Sequence, residues 1–163
     1  MLKAVLTIDP DIKKSGFCLK VQNEPLVFGS ADIRGLLGII HELKELQAKE
    51  YTIKVVIEAS WLVQKANWRT NNVGKSKEYY ASQSLDTGRN QGMGVAIVQL
   101  FKAYGFDVEE LKPLSKPKGW KVNGTWTPTG RQLFSRSILN AKMNDDTRDA
   151  IFIMYVKFGL QWI

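Results

Sequence analysis

The sequence predicts one α/β domain spanning residues 1–163, a mixed five-stranded sheet flanked by helices. Three observations predict it. Short apolar runs alternate with amphipathic helical stretches along the chain. The connections among the first three runs are too short for a crossover, so those strands pair antiparallel, whereas a helix precedes the fourth run and implies parallel pairing. The length of 163 residues, with 44% hydrophobic and 24% charged side chains, suits a single core.

The first strand is expected over Ala4–Asp9 and the second over Gly16–Val21, with the polar turn Asp11–Ser15 between them. Asn23-Glu24-Pro25 is a turn, and Leu26–Gly29 forms a third strand. Leu36, Leu37, Ile39, Ile40, Leu43 and Leu46 recur at helical spacing, opposite Glu42, Lys44, Glu45 and Lys49. Lys54–Glu58 is a strand closed, like the first, by a carboxylate. A loop at Asn67–Lys77 and a short helix over Ser76–Ser84 precede a stronger helix over Gly88–Tyr104. Gly88, Gly92 and Gly94 in its first turns imply that something approaches that backbone closely, since each costs about 1 kcal/mol against Ala. Phe106–Leu111 is the fifth strand, and Lys112–Thr127 is a basic loop with Trp120 and Trp126. A helix starting at Thr127-Pro-Thr-Gly130 is lined by Leu133, Phe134, Ile138 and Leu139, and Asp145 opens the last helix.

Composition excludes several classes. No apolar run reaches the roughly 20 residues of a membrane span, no signal-peptide layout precedes the first strand, and no membrane role is expected. Cys18 is the only cysteine, which rules out an intrachain disulfide framework and a multi-thiolate zinc site and points to a reducing, cytoplasmic setting. The net charge of +7 arises from 23 basic and 16 acidic residues and favours polyanionic partners. Acids are absent from Ala59–Lys77, which carries Lys65, Arg69, Lys75 and Lys77. They are absent again from Leu111–Asn144, which carries Lys112, Lys116, Lys118, Lys121, Arg131, Arg136 and Lys142. Trp68, Tyr79, Tyr80, Trp120 and Trp126 lie among or beside these charges, as in surfaces that stack exposed bases; core packing is the competing role.

The acids are the chemistry-bearing feature. Asp9 and Glu58 each end a buried strand, and adjacent parallel strands bring both to one sheet edge. Asp146 and Asp149, three residues apart, share a face in the first turn of the last helix, where the helix dipole favours anions. Asp145 competes with Asp146 as the third acid; the spacing to Asp149 favours Asp146. Taken singly, each acid has a plain structural role as turn initiator, cap or ion-pair partner. Together they form a set suited to Mg²⁺, with Mn²⁺ able to substitute, because hard cations take oxygen ligands and relieve the mutual repulsion. Two such ions about 3.5–4 Å apart serve phosphoryl transfer. The single histidine, His41, lies in a surface helix and is expected to be structural.

At these residues the chain resembles the RuvC-type Holliday junction resolvases of the ribonuclease H-like superfamily. Leu6-Thr-Ile-Asp9-Pro10 with Gly16, then Val56-Ile57-Glu58, then Gly88-Arg-Asn-Gln-Gly92-Met-Gly94, then Asp146-Thr-Arg-Asp149-Ala150 are similar to that family's motifs and occur in its order. Asp11 stands where the family usually has Gly, and Trp61–Asp86 does not match it. The resemblance implies a ribonuclease H-like fold, Mg²⁺-dependent paired nicking of four-way and related branched DNA, and a homodimer. It further implies metal-binding catalytic acids at Asp9, Glu58, Asp146 and Asp149, and a phosphate-steadying base for which Lys112 is the nearest match. Lys65, Arg69, Lys75, Lys77, Lys116, Lys118, Lys121 and Arg131 are the expected nucleic-acid contacts. The divergence suits a phage or mobile-element version, acting in a bacterium or an infected host cell. Two alternatives share the fold: a nuclease acting on RNA, hybrids or flaps, and a non-catalytic nucleic-acid-binding protein.

Overall fold

The computed structural model describes residues 3–63, 76–122, 125–128 and 143–159. Strands β1 (Lys3–Asp9), β2 (Ser15–Val21) and β3 (Val27–Ala31) form an antiparallel meander. Helix α1 (Ile33–Ala48) crosses to β4 (Thr52–Glu58), which pairs parallel with β1. A 3-10 turn (Ser60–Leu62) follows, then α2 (Lys77–Ala103) and β5 (Val108–Leu111), which pairs parallel with β4. A hairpin, β6 (Lys121–Val122) and β7 (Thr125–Trp126), precedes α3 (Asp145–Phe158). The sheet order is β3-β2-β1-β4-β5, and this order with these strand directions is the ribonuclease H-like architecture.

Strand alternation divides the core into two layers. Leu6, Ile8, Leu19, Val55 and Ile57 pack beneath α1 and α2 against Leu36, Ile40, Leu43, Ile97 and Phe101. Val5 and Cys18 face the other way, against Ala150, Ile151 and Met154 of α3 and Trp126 of β7. Asp32 caps α1 by accepting from the Gly35 N–H at 2.9 Å, and Asn144 caps α3 by accepting from Thr147 N–H at 2.9 Å. No helix among the described residues is long and apolar enough to cross a membrane.

Several sequence expectations are corrected. The two helices expected over Ser76–Ser84 and Gly88–Tyr104 are one, Lys77–Ala103. Only Gly94 is closely approached: a Cβ there would lie 2.3 Å from Cζ3 of Trp61, whereas Gly88 and Gly92 have nothing within 4 Å among the described residues. The third strand runs two residues beyond Gly29, to Ala31, and the fifth begins at Val108, with Phe106 buried just ahead of it. The expected basic loop contains the β6–β7 hairpin. The helix expected after Gly130, and Lys65, Trp68, Arg69, Lys75, Arg131, Arg136 and Lys142, lie outside the described residues, as do the side chains of Lys77 and Tyr80.

Candidate active site

Register places the first two acids. β1 and β4 run parallel with Ile8 opposite Ile57, so Asp9 and Glu58 leave the sheet side by side. The third element arrives through two contacts. Thr7 Oγ1, buried on the α3 face of β1, donates to the Ala150 carbonyl at 2.7 Å. Gly16, opposite Asp9 on β2, lets the first turn of α3 come to backbone contact. Asp9, Glu58, Asp146 and Asp149 consequently line one cleft of about 270 Å³, together with Asp11, Lys116 and Lys121. Thr87 and Asn90 of α2 complete its rim. Asn90 Oδ1 also accepts from the Ile12 N–H at 3.1 Å, which ties the β1–β2 turn to α2.

The cleft is electrostatically costly. Burial, then the charges of Glu58, Asp149 and Asp146, push Asp9 well above the ordinary carboxylate range, and Lys116 only partly offsets them. Burial raises Glu58 too; Lys116 opposes that and Asp149 adds to it. Asp146 is raised by burial first, then by Asp11 and Asp149. Glu58 Oε2 is buried with no hydrogen-bond partner.

Asp149 is the most heavily bonded acid, at 3% exposure. Its Oδ1 forms an ion pair with Lys116 Nζ at 2.8 Å and accepts from Trp126 Nε1 at 3.2 Å, and its Oδ2 accepts from Lys121 Nζ. Burial works to lower Lys121, but its bond to Asp149 and the charges of Asp149, Asp9 and Asp145 outweigh that, and its pKa is raised. Asp145 turns away from the cleft: Oδ1 accepts from Arg148 at 2.8 Å and Oδ2 from the Trp126 N–H at 3.3 Å. Asp146, not Asp145, lines the cleft.

The basic residues sort differently from expectation. Lys112 and Lys118 are exposed and do not line the cleft, whereas Lys116 and Lys121 do. Trp126, considered for base stacking, is 1% exposed and packs with Trp120 and Phe152 at ring-centroid distances of 6.4 and 6.0 Å. Trp120 is half-buried in the same cluster, and Tyr79 is exposed on α2. His41 is an exposed residue of α1, edge-on to Tyr104 at 6.4 Å. The signal for the hairpin that carries Lys121 and Trp126 was Asn123-Gly124, the turn pair that joins two strands tightly.

The donor set fits a hard divalent cation: carboxylates alone, one with a buried, unpartnered oxygen. Among the described residues no three acids, histidines or cysteines are yet drawn together tightly enough to hold an ion. The ammoniums of Lys116 and Lys121 are the cations of the cluster, so holding a metal requires Asp149 to exchange lysine for metal.

No family model matches this chain, and no curated protein matches it by sequence. Solved structures similar to it include two of RuvC. One is RuvC of T. thermophilus in complex with a Holliday junction substrate, 16% identical over 97% of this chain and 97% of that one, with a TM-score of 0.44. The other is Thermus thermophilus RuvC, 18% identical over 96% of this chain and 97% of that one, with a TM-score of 0.39. At these values neither bears on activity, and the fold stands on strand order and register.

Proposed function

We propose that this chain is a divalent-metal-dependent endonuclease that cuts four-way and related branched DNA by paired nicking. The observation that carries the proposal is the convergence of Asp9, Glu58, Asp146 and Asp149 on one cleft, with Glu58 Oε2 buried and unpartnered. Those four acids would hold Mg²⁺ or Mn²⁺. When bound, such ions activate a water for in-line attack and stabilise the leaving oxygen. The chain's own residues supply the rest. Lys116 and Lys121, released from Asp149, stand within the cleft to engage the scissile phosphate. Exposed Lys112 and Lys118 extend a positive surface along which a DNA backbone can lie. Paired nicking requires two sites. The exposed Leu85 and Val95 of α2, with Gly88 and Gly92 between them bare of neighbours among the described residues, support a homodimer through that helix.

The test is incubation with a synthetic four-way junction and Mg²⁺. Symmetric paired nicks abolished by Asp9→Asn or Glu58→Gln support the proposal. No nicking of any branched, flapped or RNA-containing substrate sinks it.

One observation favours a second reading, a non-catalytic nucleic-acid-binding protein. Both oxygens of Asp149 are already neutralised by lysine, so the cluster has cations without metal. Retained junction binding, with thermal stability unmoved by millimolar Mg²⁺, selects that reading.

A further inference from the structure

We propose that Trp126 is a positioning residue for the acid cluster, its indole N–H fixing the Asp149 carboxylate in the orientation that receives a divalent cation. The inference rests on the proposal that these acids hold such a cation.

Three groups hold Asp149, and they differ in kind. Lys116 and Lys121 are charged, with side chains 14% and 23% exposed, on long stems that can swing away. Either ammonium competes with a metal for the same oxygens. The Trp126 indole is neutral, so it directs Oδ1 at 3.2 Å without cancelling the charge that attracts the metal.

Nor can the indole readily leave. Its ring lies among Trp120 and Phe152, which closes it off from solvent. The backbone of the same residue is tied to α3, since its N–H donates to Asp145 Oδ2 at 3.3 Å. Across the hairpin Trp126 pairs with Lys121, another donor to Asp149. β6 and β7 thus clip the N-terminal end of α3 from one side, through Asp145 and Asp149 and both kinds of donor. When a cation displaces the lysines, Trp126 is the partner that stays and preserves the carboxylate's direction.

The experiment uses the full chain and two variants. Trp126→Phe keeps an aromatic ring in the cluster and deletes the N–H. Trp120→Phe perturbs the same cluster without touching that bond. Mg²⁺ is titrated into each by calorimetry and by the shift in melting temperature, beside urea denaturation and cleavage measured against Mg²⁺ concentration. Trp126→Phe is expected to weaken Mg²⁺ binding about 10- to 100-fold, raising the Mg²⁺ needed for half-maximal cleavage more than it lowers the saturated rate. Trp120→Phe is expected to lower stability and leave Mg²⁺ affinity unchanged. An unaltered Mg²⁺ titration in Trp126→Phe, or equal weakening in Trp120→Phe, overturns the assignment. Should Trp126→Phe not fold, the indole N–H of the wild-type chain decides by NMR: slow solvent exchange with and without Mg²⁺ supports the role, and rapid exchange with Mg²⁺ bound refutes it. A wild-type chain that takes up no Mg²⁺ or Mn²⁺ defeats the metal reading and this inference together; an unaltered Trp126→Phe beside a metal-binding wild type defeats this inference alone.

Discussion

A Cβ on Gly16 would lie 2.0 Å from the carbonyl oxygen of Asp146. β2 and the first turn of α3 therefore meet backbone to backbone, and that contact seats two of the four acids over the other two.

Replacing Gly16 by Ala is expected to force the two elements apart. The obstructing atoms are main chain and cannot rotate away. The cost should be about 1–3 kcal/mol of stability, as for other overpacked sites. Urea denaturation reads the stability, and the Mg²⁺-induced rise in melting temperature, expected to shrink, reads the site.

Burial and the neighbouring carboxylates make the ionised form of Asp9 costly, so Asp9→Asn should stabilise the metal-free chain while abolishing cleavage. Relief of burial and of repulsion from Glu58, Asp149 and Asp146 is expected to be worth about 1–2 kcal/mol, raising the melting temperature by roughly 2–8 °C in a chain of this size. A melting temperature in EDTA that falls on substitution contradicts this account of the cleft.

The same carboxylates set a pH dependence. Asp9, Glu58 and Asp146 have raised folded-state values, so the folded chain retains protons that the unfolded chain releases. Stability without metal should fall as pH rises from the ordinary carboxylate range through those raised values, then level off. Lys121 does not contribute there: its raised value lies above its ordinary range, and its stabilisation is lost only in strong alkali. Glu109 is lowered, chiefly by its bond to Lys157, and its stabilisation is lost only as pH falls below the ordinary glutamate range. Melting curves in EDTA between about pH 5 and pH 8 should show the decline, with a shallower slope in Asp9→Asn. Saturating Mg²⁺ should flatten it, because metal binds the ionised form.

Lys121→Ala should separate metal binding from cleavage. Without that ammonium Asp149 loses a competitor, so Mg²⁺ binds more tightly, while cleavage falls on the order of a hundredfold for want of a cation at the phosphate. Calorimetry and single-turnover cleavage measure the two effects, and a parallel loss of both would contradict the arrangement.

Cys18 is fully buried, and burial pushes its thiol up to about 12. A disulfide reagent at neutral pH should leave it unmodified in the folded chain and modify it at the rate of unfolding in urea.

Much of this was legible along the chain. Hydrophobic period distinguished strands from helices, and short turns against a crossover helix set strand direction. Sequence pattern splits helix α2 in two because the stretch up to Asp86 lacks a clear apolar period, whereas Ile97, Val98 and Phe101, packed in the core, mark its second half. Lys112 was preferred as the phosphate-steadying base over Lys116 because nothing in the local sequence says which side of an irregular segment faces inward.

By itself the sequence determined the α/β order, the strand-end positions of Asp9 and Glu58, and the shared helix face of Asp146 and Asp149. These are properties of neighbours in the chain: apolar period, turn length and residue spacing. Only the tertiary structure decided that Lys116 and Lys121 hold Asp149, that Asp145 accepts from the Trp126 N–H, and that Trp126 lies inside the protein and bonds an acid. Those outcomes depend on packing between segments 19 to 33 residues apart, where one ångström of approach decides whether a polar group finds a partner or loses one.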